Sequence, residues 1–295
     1  MDIPKVADAV SSVIKEKRPN LNEKSIKTYS SILKNLMKEL NYQNVKDLDK
    51  TKQVLKHLEE MPVNKRKTRL SALTVLTGKD EYREQMLKDI NKFNGDVKEQ
   101  KKSKNEKEAW MTPEAINKVY ERLKKRASVL YKKENRSMKE LQEIQDFVMI
   151  ALFTLIKPRR AMDYTEMKIK NIDTKKENFI KNKNMIFNIY KTSKNKGVDI
   201  IEIPKQLKMI LNKWIKVNPT EYLLFDSKKN KLTSVKVNQR FNKIMDKPGF
   251  SVNLFRHVYL TDKYKDTMQE MKEMEEDLKD MGSSMKQATT YVKLD

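Results

Sequence analysis

Cysteine is absent, which removes disulfides, thiolate zinc sites and a cysteine nucleophile together. Histidine is nearly absent: His57 and His257 are the only two, too few for a histidine metal site, so no metal is expected. No apolar run is long enough to cross a bilayer. The start Met1-Asp2-Ile3-Pro4-Lys5 lacks the basic stretch and apolar run of a secretory leader. These absences point to an intracellular protein of the cytoplasm, the nucleus or a viral factory, with no membrane partner.

What the chain has in excess is lysine. Its 295 residues carry a formal charge of +23, and 38% hydrophobic content suffices for a sizeable core, most simply in two domains. A surface this basic attracts polyanions by releasing their condensed counterions, so nucleic acid is the leading partner. An AT-rich genome, whose codons favour Lys, Asn and Ile, also inflates basicity, and lysine excess alone carries modest weight.

The first half reads as helices. Ile26, Tyr29, Leu33, Leu36, Met37 and Leu40 share one face, with Leu21-Asn22 as the entry. A second helix starts near Asp49, carries Val54, Leu55 and Leu58, and is interrupted by Pro62. A third runs from Lys65 to Leu76, stops at Gly78, and turns Leu70, Leu73 and Leu76 inward. Its outward Lys65, Arg66, Lys67 and Arg69 are either a solvated face or contacts to DNA phosphates. Residues 96–108 have almost no apolar side chain and read as a linker between a 1–95 domain and a 109–295 domain. Thr112-Pro113-Glu114 then opens a new helix, with proline at its first position and an acid in its first turn. Strand signals occur only in this second domain, at 185–190 and 199–203, flanking Lys194-Asn195-Lys196-Gly197 as a hairpin. The expected class is mainly α with a small β-hairpin or sheet insertion.

Two segments carry chemistry. An apolar helix, 147–156, runs into Pro158 and delivers Arg159 and Arg160 to the start of the next helix, where free N–H groups already favour an anion. Arg160 is suited to hold a phosphate oxygen, and Asp163, about one turn on, to orient its guanidinium. The second segment is Asn253-Leu254-Phe255-Arg256-His257-Val258-Tyr259-Leu260-Thr261, which sets Arg256 on an apolar helix, with Tyr291 following late in the chain.

In their order these segments resemble the tyrosine recombinases, the lambda-integrase-like superfamily of DNA breaking and rejoining enzymes. Phe153-Thr154 leading to Arg160-Ala161-Met162-Asp163 and then Met167-Lys168-Ile169-Lys170-Asn171-Ile172-Asp173 is similar to the family's first box. Tyr190-Lys191-Thr192-Ser193-Lys194 before Ile200-Ile201-Glu202-Ile203-Pro204 is similar to its lysine hairpin. Asn253 to Thr261 resembles the His-x-Leu-Arg-His box, and Met281-Gly282-Ser283-Ser284 with Tyr291 resembles the third.

The resemblance implies an N-terminal helical core-binding domain and an α+β catalytic domain that close around duplex DNA. It implies a site-specific recombinase or integrase of viral or mobile-element type, self-associating as a tetrameric synapse and needing no cofactor. Arg160 and Arg256 would clamp the phosphate. Lys191, with Lys194 as fallback, would protonate the leaving 5′ oxygen, and Tyr291 would form a 3′-phosphotyrosyl link. Asn253 stands where the family has a histidine, and Gly282 or Ser283 where it has a second. Asp163, His257 and Ser283 fall in supporting positions; Arg159 and Lys194, with the basic helix, are the expected DNA contacts.

Those two substitutions keep a rival open, a catalytically impaired DNA-binding relative of the same fold. A type IB topoisomerase-like enzyme shares the Arg-Lys-Arg-Tyr logic. A metal-dependent nuclease or transposase using Asp163, Asp199 and Glu202 is a third class, but those acids follow no recognised ligand spacing. The acidic and basic 268–281 stretch fits either core packing or a helix that binds a partner.

Overall fold

The computed structural model describes residues 3–293. It is mostly helical, with one small sheet, and divides into two compact units, 1–101 and 102–295.

The first unit contains α1 (Ile3–Lys17), α2 (Glu23–Glu39), a 3-10 turn (Val45–Asp49), α3 (Thr51–Glu59), α4 (Val63–Thr77) and α5 (Asp80–Lys98). Asn22 caps α2 by accepting the Ser25 N–H, so the entry expected at Leu21-Asn22 is where the helix begins. Gly78 closes α4 at φ 74°, a left-handed conformation that glycine adopts at no steric cost. One apolar face from each helix meets in a core that includes Ile14, Leu33, Leu36, Leu48, Leu58 and Leu73. Tyr82 is fully buried there, and its hydroxyl donates to the Leu48 carbonyl at 2.6 Å.

The expected linker is largely helical. Helix α5 runs through it to Lys98, and α6 (Lys104–Ala109) begins before it ends. The cause is a reciprocal cap: the Ser103 hydroxyl accepts the Glu106 N–H, and the Glu106 carboxylate accepts the Ser103 N–H at 2.8 Å. A segment too polar to build a core is still helical where its ends are capped. The second unit starts at Lys102 rather than near Ala109.

After α6 come α7 (Pro113–Tyr131), capped by Thr112, and α8 (Met138–Thr154), capped by a second box of Ser137 and Glu140. Helix α8 is the spine of the unit; from Phe147 to Phe153 every side chain is buried. Next are α9 (Ala161–Thr165), β1 (Met167–Lys168), β2 (Asn178–Lys181), β3 (Asn184–Phe187), α10 (Ser193–Lys196) and β4 (Asp199–Glu202). The strands form one sheet in the order β1-β2-β3-β4, parallel between β1 and β2 and antiparallel elsewhere. Pairing of Met185 with Ile201 and of Ile186 with Ile200 joins β3 to β4, the two strands the sequence pointed to. Their connection is no tight turn, because it contains α10.

The chain continues through α11 (Lys205–Val217), α12 (Ser234–Met245), α13 (Val252–Asp280), a 3-10 turn (Met285–Gln287) and α14 (Ala288–Tyr291). The 268–281 stretch is not a helix of its own. It is the far half of α13, which is 29 residues long and begins just before Arg256.

An aromatic cluster ties the elements that matter most. Phe153 of α8 stacks on Phe255 of α13 at 5.3 Å and meets Tyr164 of α9 edge-on at 5.2 Å. Phe241 and Phe250 close on Phe255 at 4.9 and 4.8 Å. Such contacts add to the burial term and fix ring orientation. Phe255 is locked on three sides, so the direction of its neighbour Arg256 is set by packing.

Candidate phosphate-binding cleft

Arg160 and Arg256, remote in sequence, line one cleft of about 440 Å³. Arg160 is the N-cap residue of α9, in extended backbone at φ −74° and ψ 149°, and Arg256 leaves the second turn of α13 beside Phe255. Pro158, Arg159, Asp163, Tyr190, Lys196 and Asp199 contribute to the same wall. Among the described residues, neither the Arg160 nor the Arg256 side chain makes a hydrogen bond or an ion pair. Both are only half-exposed. A partly desolvated guanidinium is stabilised when its donors meet a planar or tetrahedral oxyanion, and two of them facing one cleft suit a phosphate.

Arg159 is used differently. Its Nε donates to Asp163 Oδ2 at 2.7 Å, one Nη donates to Asp199 Oδ2 at 2.6 Å, and the guanidinium lies 4.1 Å from the Phe187 ring centroid. This corrects the pairing read from the sequence: Asp163 orients Arg159, not Arg160. The reason is local: Arg159 precedes the N-cap of α9, where its guanidinium reaches both Asp163 and Asp199, while the Arg160 side chain makes no hydrogen bond to Asp163 among the described residues. Arg159, expected as a DNA contact, is committed to two carboxylates and joins the start of α9 to β4. Burial raises the Asp163 pKa above the ordinary carboxylate value, with Arg159 opposing that rise.

Asn178 builds the rim. Fully buried on β2, it donates to the Asp163 carbonyl at 2.9 Å and to the Ile189 carbonyl at 2.8 Å, and accepts the Ile189 N–H at 2.7 Å. The loop after β3 is thereby held beside α9. The Tyr190 hydroxyl donates to the Gly197 carbonyl at 2.9 Å and closes that loop around α10. As a result the lysine on the cleft wall is Lys196. Lys191 and Lys194 are exposed and do not line it.

The remaining expected residues lie elsewhere. Asn253 and His257, one turn apart on α13, line a second cavity of about 90 Å³ that shares no lining residue with the first. His257 Nδ1 is 2.8 Å from Glu106 of α6. The Ser283 hydroxyl bonds to Gln287 at 2.9 Å. Tyr291, at the end of α14, is 56% exposed and does not line the arginine cleft. Of the basic helix in the first unit, Arg66 grips Asp89 through Nε and Nη2, both at 2.7 Å, and Arg69 grips Glu39 with two nitrogens. Lys67 lies over the Phe93 ring, and Lys65 is exposed. Among the described residues no cluster of three or more His, Asp or Glu is placed to hold a metal ion.

The residues that sequence reasoning missed are Lys196 and Asn178. Lys196 was legible only as part of a turn, and an isolated asparagine in a charged stretch carries no signal at all.

No family model matches the chain, and no curated protein matches it. Among solved structures, a lambda integrase fragment, crystallised as a dimer bound to a COC′ core site, aligns over 89% of this chain and 87% of its own, at 13% identity and a TM-score of 0.43. A likeness that weak carries no argument about function.

Proposed function

We propose that the second unit binds a DNA phosphodiester in the arginine cleft and breaks and rejoins the strand through a 3′-phosphotyrosyl intermediate. One observation carries the reading: two unpaired guanidiniums, brought from separate helices, face the same cleft. Arg160 and Arg256 hold the non-bridging oxygens and gain most when charge builds on them in the transition state. Lys196, rather than Lys191 or Lys194, delivers a proton to the departing 5′ oxygen. Tyr291 is the nucleophile, an assignment that rests on the resemblance of its segment to the family's third box. The phosphotyrosyl link conserves the energy of the broken bond, so rejoining is the reverse step and no nucleotide cofactor is consumed.

A nicked duplex that loses its 5′ fragment on cleavage tests this. Wild-type protein is expected to give an adduct that survives denaturant, and Tyr291→Phe to give none at nearly unchanged DNA affinity.

A second reading has its own observation in its favour. Tyr291 is away from the cleft and Asn253 lines a different cavity, as suits a protein that grips DNA without cutting it. Tight DNA binding by the wild type with no adduct on the nicked duplex decides for that reading.

A further inference from the structure

The cleft and Tyr291 belong to opposite ends of α13. Arg256 leaves its second turn, and at 1.5 Å per residue the 29-residue helix is a rod ~43 Å long. It contains neither glycine nor proline, the usual sources of a sharp kink. Beyond its C-terminus the chain turns back on the helix's last turns. The Ser283 N–H donates to the Leu278 carbonyl at 2.7 Å, the following 3-10 turn packs on α13, and Leu278 and Ala288 are buried. Tyr291 is therefore held at the far end of the rod. From Arg256 to Leu278 alone is roughly 33 Å along the axis. To enter the cleft of its own chain, Tyr291 would have to leave α14 and the 3-10 turn and draw the tail out straight along most of the helix.

The middle of that rod has no cover. Every residue of 261–270 is exposed. Leu260, Tyr264, Met268 and Met271 follow one another at spacings of four, four and three, which puts them on one face, and they are 50%, 40%, 37% and 42% exposed. The same half of the helix reverses the charge of the chain. Residues 266–280 carry seven carboxylates against two lysines, within a chain of net charge +23. An acidic, methionine-striped helix repels DNA and complements a basic protein surface. The rest of this chain is such a surface.

Resting on the cleavage reading above, we infer that a second copy of this chain docks on the exposed face of α13, and that Tyr291 acts in trans. Each cleft supplies Arg160, Arg256 and Lys196 and receives the partner subunit's Tyr291. In the step, the phenolic oxygen attacks phosphorus and the phosphorus–5′ oxygen bond breaks as the phosphorus–tyrosine bond forms. The phenol releases its proton to solvent, and the 5′ oxygen takes one from Lys196. An isolated copy has the charge clamp without a nucleophile, so cutting waits on assembly.

Two inactive variants, distinguishable by size, test this on the nicked duplex. Arg256→Ala, enlarged by a fused tag, keeps Tyr291 but has a damaged cleft; Tyr291→Phe keeps the cleft but has no nucleophile. Alone, neither is expected to form an adduct. Mixed, they are expected to recover one, carried by the larger Arg256→Ala chain. Adding Tyr264→Lys and Met268→Lys to both chains, at exposed positions that folding tolerates, is expected to abolish the recovery by setting like charge against the basic surface. If the wild type forms an adduct and the mixture forms none, supply in trans is overturned while the cleavage reading stands. If the wild type itself forms none, the cleavage reading fails and the trans proposal fails with it.

Discussion

Arginine does opposite work in the two units. On α4 of the first unit, Arg66 and Arg69 each meet a carboxylate with two nitrogens, Asp89 and Glu39, and hold helices together. In the second unit Arg160 and Arg256 face a cleft without such a partner, and the arginine beside them, Arg159, takes both nearby carboxylates. Guanidinium charge thus holds helices together in one region and is left without a carboxylate partner in the other. What separates the two uses is whether an acid lies within reach of the fork, and that is decided by tertiary structure.

The contrast can be broken most forcefully at the cleft. Arg160→Ala or Arg256→Ala is expected to slow adduct formation by on the order of 10²- to 10³-fold, as for loss of a donor to developing oxyanion charge, while DNA affinity changes far less. A proportional loss of both in binding and single-turnover assays would make these residues affinity contacts only. The cleft's shape is the next point of attack. Phe153→Ala removes the ring that joins α8, α9 and α13, and is expected to destabilise the second unit by about 3–5 kcal/mol in denaturant titration. A loss under about 1 kcal/mol would show that the two arginines are not positioned by that cluster.

In the first unit the same kind of substitution should act on stability. Asp89 is almost wholly buried, so Arg66→Ala leaves an uncompensated charge and is expected to cost about 3 kcal/mol. An unchanged unfolding midpoint would contradict the structural role. The pair of Arg69 and Glu39 predicts an acid limb. Hydrogen bonding from Arg69 lowers the Glu39 pKa to about 2. Between its ordinary value and about 2 the unfolded chain binds a proton that the folded chain does not, so this contribution is present above the ordinary value and lost as pH falls toward 2. Glu39→Gln is expected to flatten that limb, and an unaltered acid profile would assign it to other groups. The smallest effect concerns salt. Lys65, which is exposed, is expected to reduce the log–log salt slope of DNA binding by roughly one phosphate's worth, about 0.9, when changed to Ala. Arg69→Gln should leave the slope alone, and equal changes for both would erase the contrast between free and paired charge.

Much of the fold can be read from local chemistry. Asn22, Gly78 and the Thr112-Pro113 pair mark helix ends because caps depend on a few adjacent residues. The β3–β4 pair shows in its β-branched run. The capping box of Ser103 and Glu106 was equally local, yet the polarity around it suggested a linker. Strands β1 and β2, of two and four residues, are too short for a periodic signal, and their parallel pairing joins Met167 and Lys168 to Asn178 and Phe179 across an intervening loop. At the cleft, Arg160 and Arg256 are legible because each sits at the edge of an apolar helix. Which acid meets which arginine, and which of several lysines faces inward, depends on α9 beginning only after Arg160 and on the loop drawn in by Asn178. Neither has a local signature. Tyr291 is the clearest gap between pattern and geometry, since its position depends on α13 running unbroken for 29 residues.

The central claim is that Arg160 and Arg256 hold one and the same phosphate. A double-mutant cycle on the rate of adduct formation, using Arg160→Ala, Arg256→Ala and the pair, tests it most directly. Shared action on one phosphate predicts strong coupling, with the double variant little slower than the worse single one. Losses that simply multiply would mean that the two guanidiniums act on separate groups, and the cleft would lose its role as a phosphate clamp.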